Sequence, residues 1–447
     1  MRTILEYAAD LAAGLTTSRA IIELALAKID DKNGEGARTY IKVFRDAALA
    51  EADAADRLRK HGIVPSPLAG LPISIKDLFD IAGDVTLAGV KAHRDLPPAK
   101  TDAPIVARLR AAGAVIIGRT NLSPMAFSPL GINRDFGTPG NPADRARIPG
   151  GSSSGAAVSV TDGMAVAAIG SDTGGSVRIP SAFCGLAGIK PTQKRVPLTQ
   201  AWPLSTTLDS IGPLCASVSC CALVDAALAG EAIAVPGAIP LRGLRLALPT
   251  NGVLEDMDAT VSRAFQRALE KLSKHCAQII ETALPELDQV IAMWRSPPSF
   301  SQMEGYARYA KQMTANPDAY DALIRARFAA GSVATAKDYI DLIQARADII
   351  QRAYLATRNY DAVIMPTIQI VAPTIAEAST EDGFKRVVPR IIRNPSIANM
   401  LDRCALSIPC HAAGELPVGL SLMGEHGDDR KLLAIGLSVE AALNPAA

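Results

Sequence analysis

From Leu71 onward, short apolar runs alternate with longer stretches of helical periodicity, and no other feature restricts the fold as much. The apolar runs fall at residues 72–76, 115–118, 164–170, 244–248, 278–281, 362–365 and 418–423. Helical spacing covers 104–112, 259–275, 336–357 and 430–443. A chain that alternates in this way lays its helices on the faces of a sheet, so the expected class is α/β. The first 60 residues read as helical. Ile21, Leu24, Ala25, Lys28 and Ile29 form an apolar face with one charged gap behind the cap candidates Thr17 and Ser18, and an Ala-rich helix follows over 46–59. The segment 285–358 is mainly helical and polar, as a cap or insertion on the sheet would be. One domain over 1–447 is the expected organisation.

Apolar residues make up 49% of the 447 and charged residues 20%, which suits a soluble protein with a large core. Lys and Arg total 46 against 45 for Asp and Glu, so no long-range field draws nucleic acid or an anionic membrane. The expected partner is a small molecule. The start Met1-Arg2-Thr3-Ile4-Leu5-Glu6 lacks the basic and apolar regions of a signal peptide. The most apolar region, 222–239, is broken by Asp225, Glu231 and Pro236. The seven cysteines are scattered without a C-x-x-C pair, which argues against a zinc site or a disulfide framework. Reduced thiols in a cytoplasm are the expectation, with no metal.

Two small-residue clusters mark the centre: Gly150-Gly151-Ser152-Ser153-Ser154-Gly155, and Gly170-Ser171-Asp172-Thr173-Gly174-Gly175-Ser176-Val177-Arg178-Ile179-Pro180. One such cluster is ordinarily a turn or linker. These two flank a helix-like stretch and the apolar run 164–170, and a flexible linker is not interrupted by core elements. Small residues embedded in a core mark a tight backbone path near a ligand. Gly174 and Gly175 let successive N–H groups converge, and Ser176 follows directly. Acyl transfer needs such donors at the developing oxyanion, worth roughly 2.7–4 kcal/mol each. Thr173, Gly174, Gly175 and Ser176 are the candidates. A phosphate cradle is the weaker reading, because the cluster has neither a Gly-Lys-Ser/Thr ending nor G-x-G-x-x-G spacing.

A serine nucleophile needs a base. The five histidines, His61, His93, His275, His411 and His426, lie away from these clusters in sequence. Lys76 ends the run Pro72-Ile73-Ser74-Ile75-Lys76, where strand alternation puts Ile73 and Ile75 on one face and Ser74 and Lys76 on the other. Taken alone, a lysine there favours extending to water. If buried, its charged form is disfavoured and a neutral amine becomes available as a base. The first cluster also satisfies G-x-S-x-G, which would make Ser153 the nucleophile with His411 or His426 as base. The strand expected before such an elbow is instead the polar stretch 144–149.

At these residues the chain resembles the amidase signature family. The resemblance runs through Leu68-Ala69-Gly70-Leu71-Pro72, Lys76-Asp77, Gly118-Arg119-Thr120-Asn121 and both Gly/Ser clusters. It continues through Cys184-Gly185-Leu186-Ala187-Gly188-Ile189-Lys190-Pro191-Thr192, Asp209-Ser210-Ile211-Gly212-Pro213 and Leu416-Pro417-Val418-Gly419-Leu420. It implies an α/β/α fold on a central mixed sheet, and hydrolysis of a carboxylic amide to acid plus ammonia or amine without a cofactor. By position, the resemblance makes Ser176 the nucleophile, Ser152 a proton shuttle after a cis peptide bond, and Lys76 the final base. It makes Asp172 and Arg178 supports of the nucleophile loop, with Ser153 hydrogen-bonded inside its own loop. Ala126 and Phe127, with Gly150 and Gly151, would face the substrate.

Two residues depart from the family pattern: Ser154 replaces a glycine, and Pro124 stands where many bacterial relatives carry glutamate. The implied substrate is a small-molecule amide of aliphatic, aromatic, fatty acyl or urea-like type, and a homodimer is the expected assembly. The alternatives are the glutaminase subunit of a tRNA-dependent amidotransferase and a urea- or carbamate-type hydrolase of the same family.

Overall fold

Eleven strands form one sheet in the computed structural model, which describes residues 1–444. In chain order they are β1 (Tyr40–Val43), β2 (Pro72–Lys76), β3 (Val115–Thr120), β4 (Ala167–Asp172), β5 (Ala187–Lys190) and β6 (Ser210–Cys215). The remaining five are β7 (Arg245–Pro249), β8 (Gln278–Thr282), β9 (Ala362–Pro366), β10 (Ala405–Pro409) and β11 (Gly419–Met423). Their lateral order is β1-β3-β2-β4-β6-β5-β10-β11-β9-β7-β8. Two parallel groups, β3-β2-β4 and β9-β7-β8, are joined by antiparallel pairings through the middle, so the sheet is mixed.

The interior strands β2, β3, β4, β5, β6, β9 and β11 are buried at every residue, whereas the edge strands β1 and β8 are partly exposed. Burial on both faces explains why the interior strands read as continuous apolar runs. Ile73, Ile75, Ile116 and Ile169 share the largest core cluster, while Val115 and Ile117 pack with Ile22 and Ala48 in another. Helices on both faces supply the second half of each layer. Thr17 caps the helix Ser18–Asp30 by accepting from Ala20 N–H, and Thr335 with Asp338 forms a capping box for Ala336–Thr357. No helix among the described residues is long and apolar enough to cross a membrane.

The expected elements are reproduced in the main, with three differences. The first 60 residues are not wholly helical, because Tyr40–Val43 pairs with β3 as an edge strand. The run 164–170 becomes a strand only from Ala167 and continues to Asp172. Strands β5, β6 and β10 lack a sequence signal: two are short, and β6 contains Gly212 and Pro213. Pro213 is tolerated because the ladder from β6 to β5 begins only at Leu214, so its missing N–H breaks no pairing there. The segment 285–358 holds the helices Pro285–Arg295, Phe300–Ala315, Ala322–Ala329 and Ala336–Thr357.

β2 and β4 are parallel neighbours, so their carboxyl ends, Lys76 and Asp172, emerge along one edge of the sheet. Open α/β sheets bind ligands at such an edge.

Candidate active site

Lys76 is wholly buried, which excludes extension to water. Its strand lies between β3 and β4, and the face it shares with Ser74 turns toward the helix Ser154–Thr161, where Ser74 Oγ and Ser159 Oγ are 2.8 Å apart. Lys76 Nζ lies 2.6 Å from Ser152 Oγ and 2.9 Å from Ser171 Oγ. No carboxylate pairs with it among the described residues. Burial lowers its pKa to about 7, against the pull of Asp172 and Asp209 in the other direction. A sizeable fraction is therefore neutral near pH 7, with a lone pair free to accept from Ser152 while an N–H donates to Ser171.

Ser152 follows a cis peptide bond from Gly151 and is fully buried. Its carbonyl accepts from Ser123 N–H at 3.0 Å. Ser153 is fully buried too, but its hydroxyl donates to the carbonyl of Ser171 in β4 at 3.4 Å rather than within its own loop. The space exists because residue 170 is glycine: a Cβ there would lie 2.7 Å from Ser153 Oγ. None of the hydrogen bonds made by histidines reaches Ser152, Ser153 or Ser176. The geometry therefore gives the elbow reading of Ser153 no base.

Asp172 ends β4 and organises the second cluster. Its carboxylate accepts from Gly175 N–H at 2.8 Å, Val177 N–H at 3.1 Å, Arg178 Nη2 at 2.9 Å and Asn399 Nδ2 at 2.9 Å. Burial alone would raise its pKa, but the Arg178 guanidinium and these donors hold it down at about 2. Gly175 adopts φ +122°, a conformation that L side chains avoid, and this turns its N–H onto Asp172. That corrects the expected donor set: Gly175 N–H is already engaged, which leaves Thr173, Gly174 and Ser176 as candidates. Thr173 Oγ1 donates to Asp209, which also accepts from Leu204 and Ser205 N–H. Burial raises the Asp209 pKa to about 6. Ser176 retains 8% exposure, and Ser153 N–H donates to its carbonyl, tying the two loops together.

Ser176 opens into a narrow cleft enclosing ≈ 320 Å³ between atoms, part of it open to solvent. Ala126, Phe127, Thr173 and Gly174 line it, together with Trp294 and Arg327 from the helical segment 285–358. Met125 and Ala126 both have positive φ in the turn that presents Phe127. Gly150 and Gly151 do not line the cleft. Gly150 packs on Phe183, and Gly151 packs on the backbone of Gly131 and Ser128, one layer behind the cleft wall rather than on it as expected. Pro124 borders a neighbouring crevice instead.

Sequence reasoning missed four residues here. Ser171 sits inside a recognised cluster, yet only pairing of β4 with β2 shows that it meets Lys76. Asn399 comes from the helix Glu381–Met400, whose Pro389 and Pro395 conceal it from a periodicity reading. Trp294 and Arg327 approach from more than 100 residues downstream and carry no local signal.

A family model described as Amidase matches residues 20–433. The 2-amino-5-chloromuconic acid deaminase of Comamonas testosteroni is 34% identical over 406 residues, covering 89% of this chain and 86% of that protein. A glutamyl-tRNA(Gln) amidotransferase component from Anaeromyxobacter dehalogenans (strain 2CP-C) is 33% identical over 478 residues, covering 98% of this chain and 96% of that one. A solved structure described as an amidase superposes with a TM-score of 0.87 at 32% identity, covering 99% of this chain and all of the other.

Proposed function

This chain belongs to the amidase family and is a hydrolase of amide C–N bonds, and from that premise we propose that it cuts a small carboxylic amide through Ser176, Ser152 and Lys76. The observation that carries the reading is the buried Lys76 amine 2.6 Å from Ser152 Oγ. A buried lysine without a counter-ion is a base at neutral pH.

In this mechanism Ser176 Oγ attacks the amide carbon and gives its proton to Ser152 Oγ, whose own proton passes to Lys76 Nζ. Ser152 Oγ is hydrogen-bonded to Lys76 and not to Ser176 in this structure; in this mechanism the Ser176-to-Ser152 bond forms when substrate binds. The oxyanion rests on the backbone donors left free by Asp172, at Thr173, Gly174 and Ser176. The proton returns from Lys76 through Ser152 to the leaving nitrogen, the C–N bond breaks, and ammonia or an amine departs from acyl-Ser176. Water then attacks the ester, giving its proton to the same relay; the acyl C–Oγ bond breaks, the relay returns that proton to Ser176 Oγ, and the acid is released. Asp172, Arg178 and Asn399 act at one remove by holding the loop.

The purified chain should release ammonia from simple amides and be labelled by a neutral fluorophosphonate. Ser176→Ala should lose both the labelling and the turnover, and Ser153→Ala should keep the labelling. Label on Ser153 in wild type would overturn the assignment.

A second reading, the glutaminase component of an amidotransferase, draws on the 96% coverage of the amidotransferase relative. It requires partner chains, so amide turnover by the chain alone favours the free-standing enzyme, and turnover only in a complex favours the amidotransferase.

A further inference from the structure

Arg327, half-buried, stands apart from the buried arginines. Arg119, Arg178 and Arg393 each meet an aspartate within 3.2 Å. Arg327, in the helix Ala322–Ala329, makes no ion pair and no hydrogen bond among the described residues. Its Nε is shut away from solvent without an acceptor, while its terminal nitrogens are not shut off. The guanidinium carbon lies 4.4 Å from the centroid of the Phe127 ring and 5.6 Å from that of Phe384. It lines the same cleft as Ser176.

Packing between rings fixes the plane of a guanidinium and strips part of its hydration, but supplies no counter-charge. Burial pulls its pKa down to about 10, so it remains cationic at neutral pH. Phe127 is itself held from behind by Phe328, with ring centroids 4.6 Å apart, and Phe328 by Tyr309 at 5.5 Å. The cation is thus seated against an aromatic cluster, and a planar fork of donors without an acceptor matches a carboxylate.

We propose that Arg327 receives a carboxylate of the substrate, so that the amides this cleft takes are short amido acids, monoamides of dicarboxylic acids. The inference rests on the amidohydrolase reading, since it concerns the substrate of the same cleft.

The test compares succinamic acid with butyramide, which has the same four carbons but a methyl in place of the carboxylate. Wild type should prefer succinamic acid, and Arg327→Met should reduce that preference, taken as the ratio of the two kcat/KM values, by about 100-fold. Arg327→Lys should restore only part of it, because an ammonium lacks the fork. Fluorophosphonate labelling of Ser176 reports that each variant is folded. Calorimetric binding of succinate to Ser176→Ala supplies a readout independent of turnover, and it should be lost in Ser176→Ala/Arg327→Met. If wild type turns over butyramide as well as succinamic acid and Arg327→Met leaves the ratio unchanged, the inference falls and the amidase reading stands. If succinate binding depends on Arg327 but no amide is cut, the inference stands and the mechanism falls.

Discussion

If Lys76 is the terminal base, activity should follow its deprotonation, and the midpoint should move when a charge is placed beside it. Moving a lysine from 10.5 to about 7 disfavours its ammonium by about 5 kcal/mol. At pH 7 about half of the enzyme then carries a neutral amine, against roughly one part in 3,000 for an ordinary lysine. The kcat/KM for an amide should rise about tenfold per pH unit below about 7 and level off above about 8. Asp77 and Asp209 are also raised by burial, to about 7 and about 6, so a midpoint alone does not identify the group. Ser171→Asp does. Ser171 Oγ lies 2.9 Å from Nζ, and a carboxylate at about 4 Å is worth about 4 kcal/mol at an effective dielectric of about 20. The midpoint should climb to about 10, while Ser171→Ala should leave it within about one unit. Rates are measured from pH 5 to 10, with fluorophosphonate labelling as a check on folding. A Ser171→Asp profile that keeps its midpoint near 7 would refute the relay.

The same burial has a stability consequence of opposite sign to its catalytic one. A base with a depressed folded pKa destabilises the fold fully below about 7, and the penalty vanishes as pH rises to 10.5. Lys76→Met should therefore raise the unfolding free energy near pH 6 by a few kcal/mol while abolishing amide turnover, and denaturant melts should show the gain shrinking toward pH 10. Asp172→Asn leaves Arg178 buried without its counter-ion, and unfolding by denaturant should show a loss of about 3–5 kcal/mol. A Cβ at Gly174 would lie 2.6 Å from the Trp294 ring, so Gly174→Ala should cost roughly 100-fold in kcat/KM. Pairing it with Trp294→Leu should recover much of that loss; no recovery would mean that the backbone, not the ring, is the obstacle.

The legible parts of the fold were those where local pattern and environment agree. β2 and β9 are apolar throughout because both faces are covered, and their boundaries follow directly. β6 was illegible because Gly212 and Pro213 are tolerated only by where the neighbouring ladder begins. The site divided in the same way. Ser176 stood out from its glycines, but the burial of Lys76 depends on strands 40 and 90 residues downstream. Alternation put Lys76 beside Ser74, yet nothing local could say that the helix Ser154–Thr161 would seal that face. Asp172 was recognised, but its acceptance from Gly175 N–H, which removes one expected oxyanion donor, is a property of a single positive φ.

The groups assigned to bond breaking stand on the ends of β2 and β4 and the loops beside them, while Trp294 and Arg327 come from a helical stretch far away in the chain. On the proposed reading, the bond-breaking groups and part of the cleft wall thus lie on separate stretches of the chain. Drift in the helical stretch can retune which amide enters without disturbing a buried amine or the carboxylate that braces the loop. A lineage built this way can explore new substrates by neutral steps in a wall, and a graft of that wall alone should carry its preference with it.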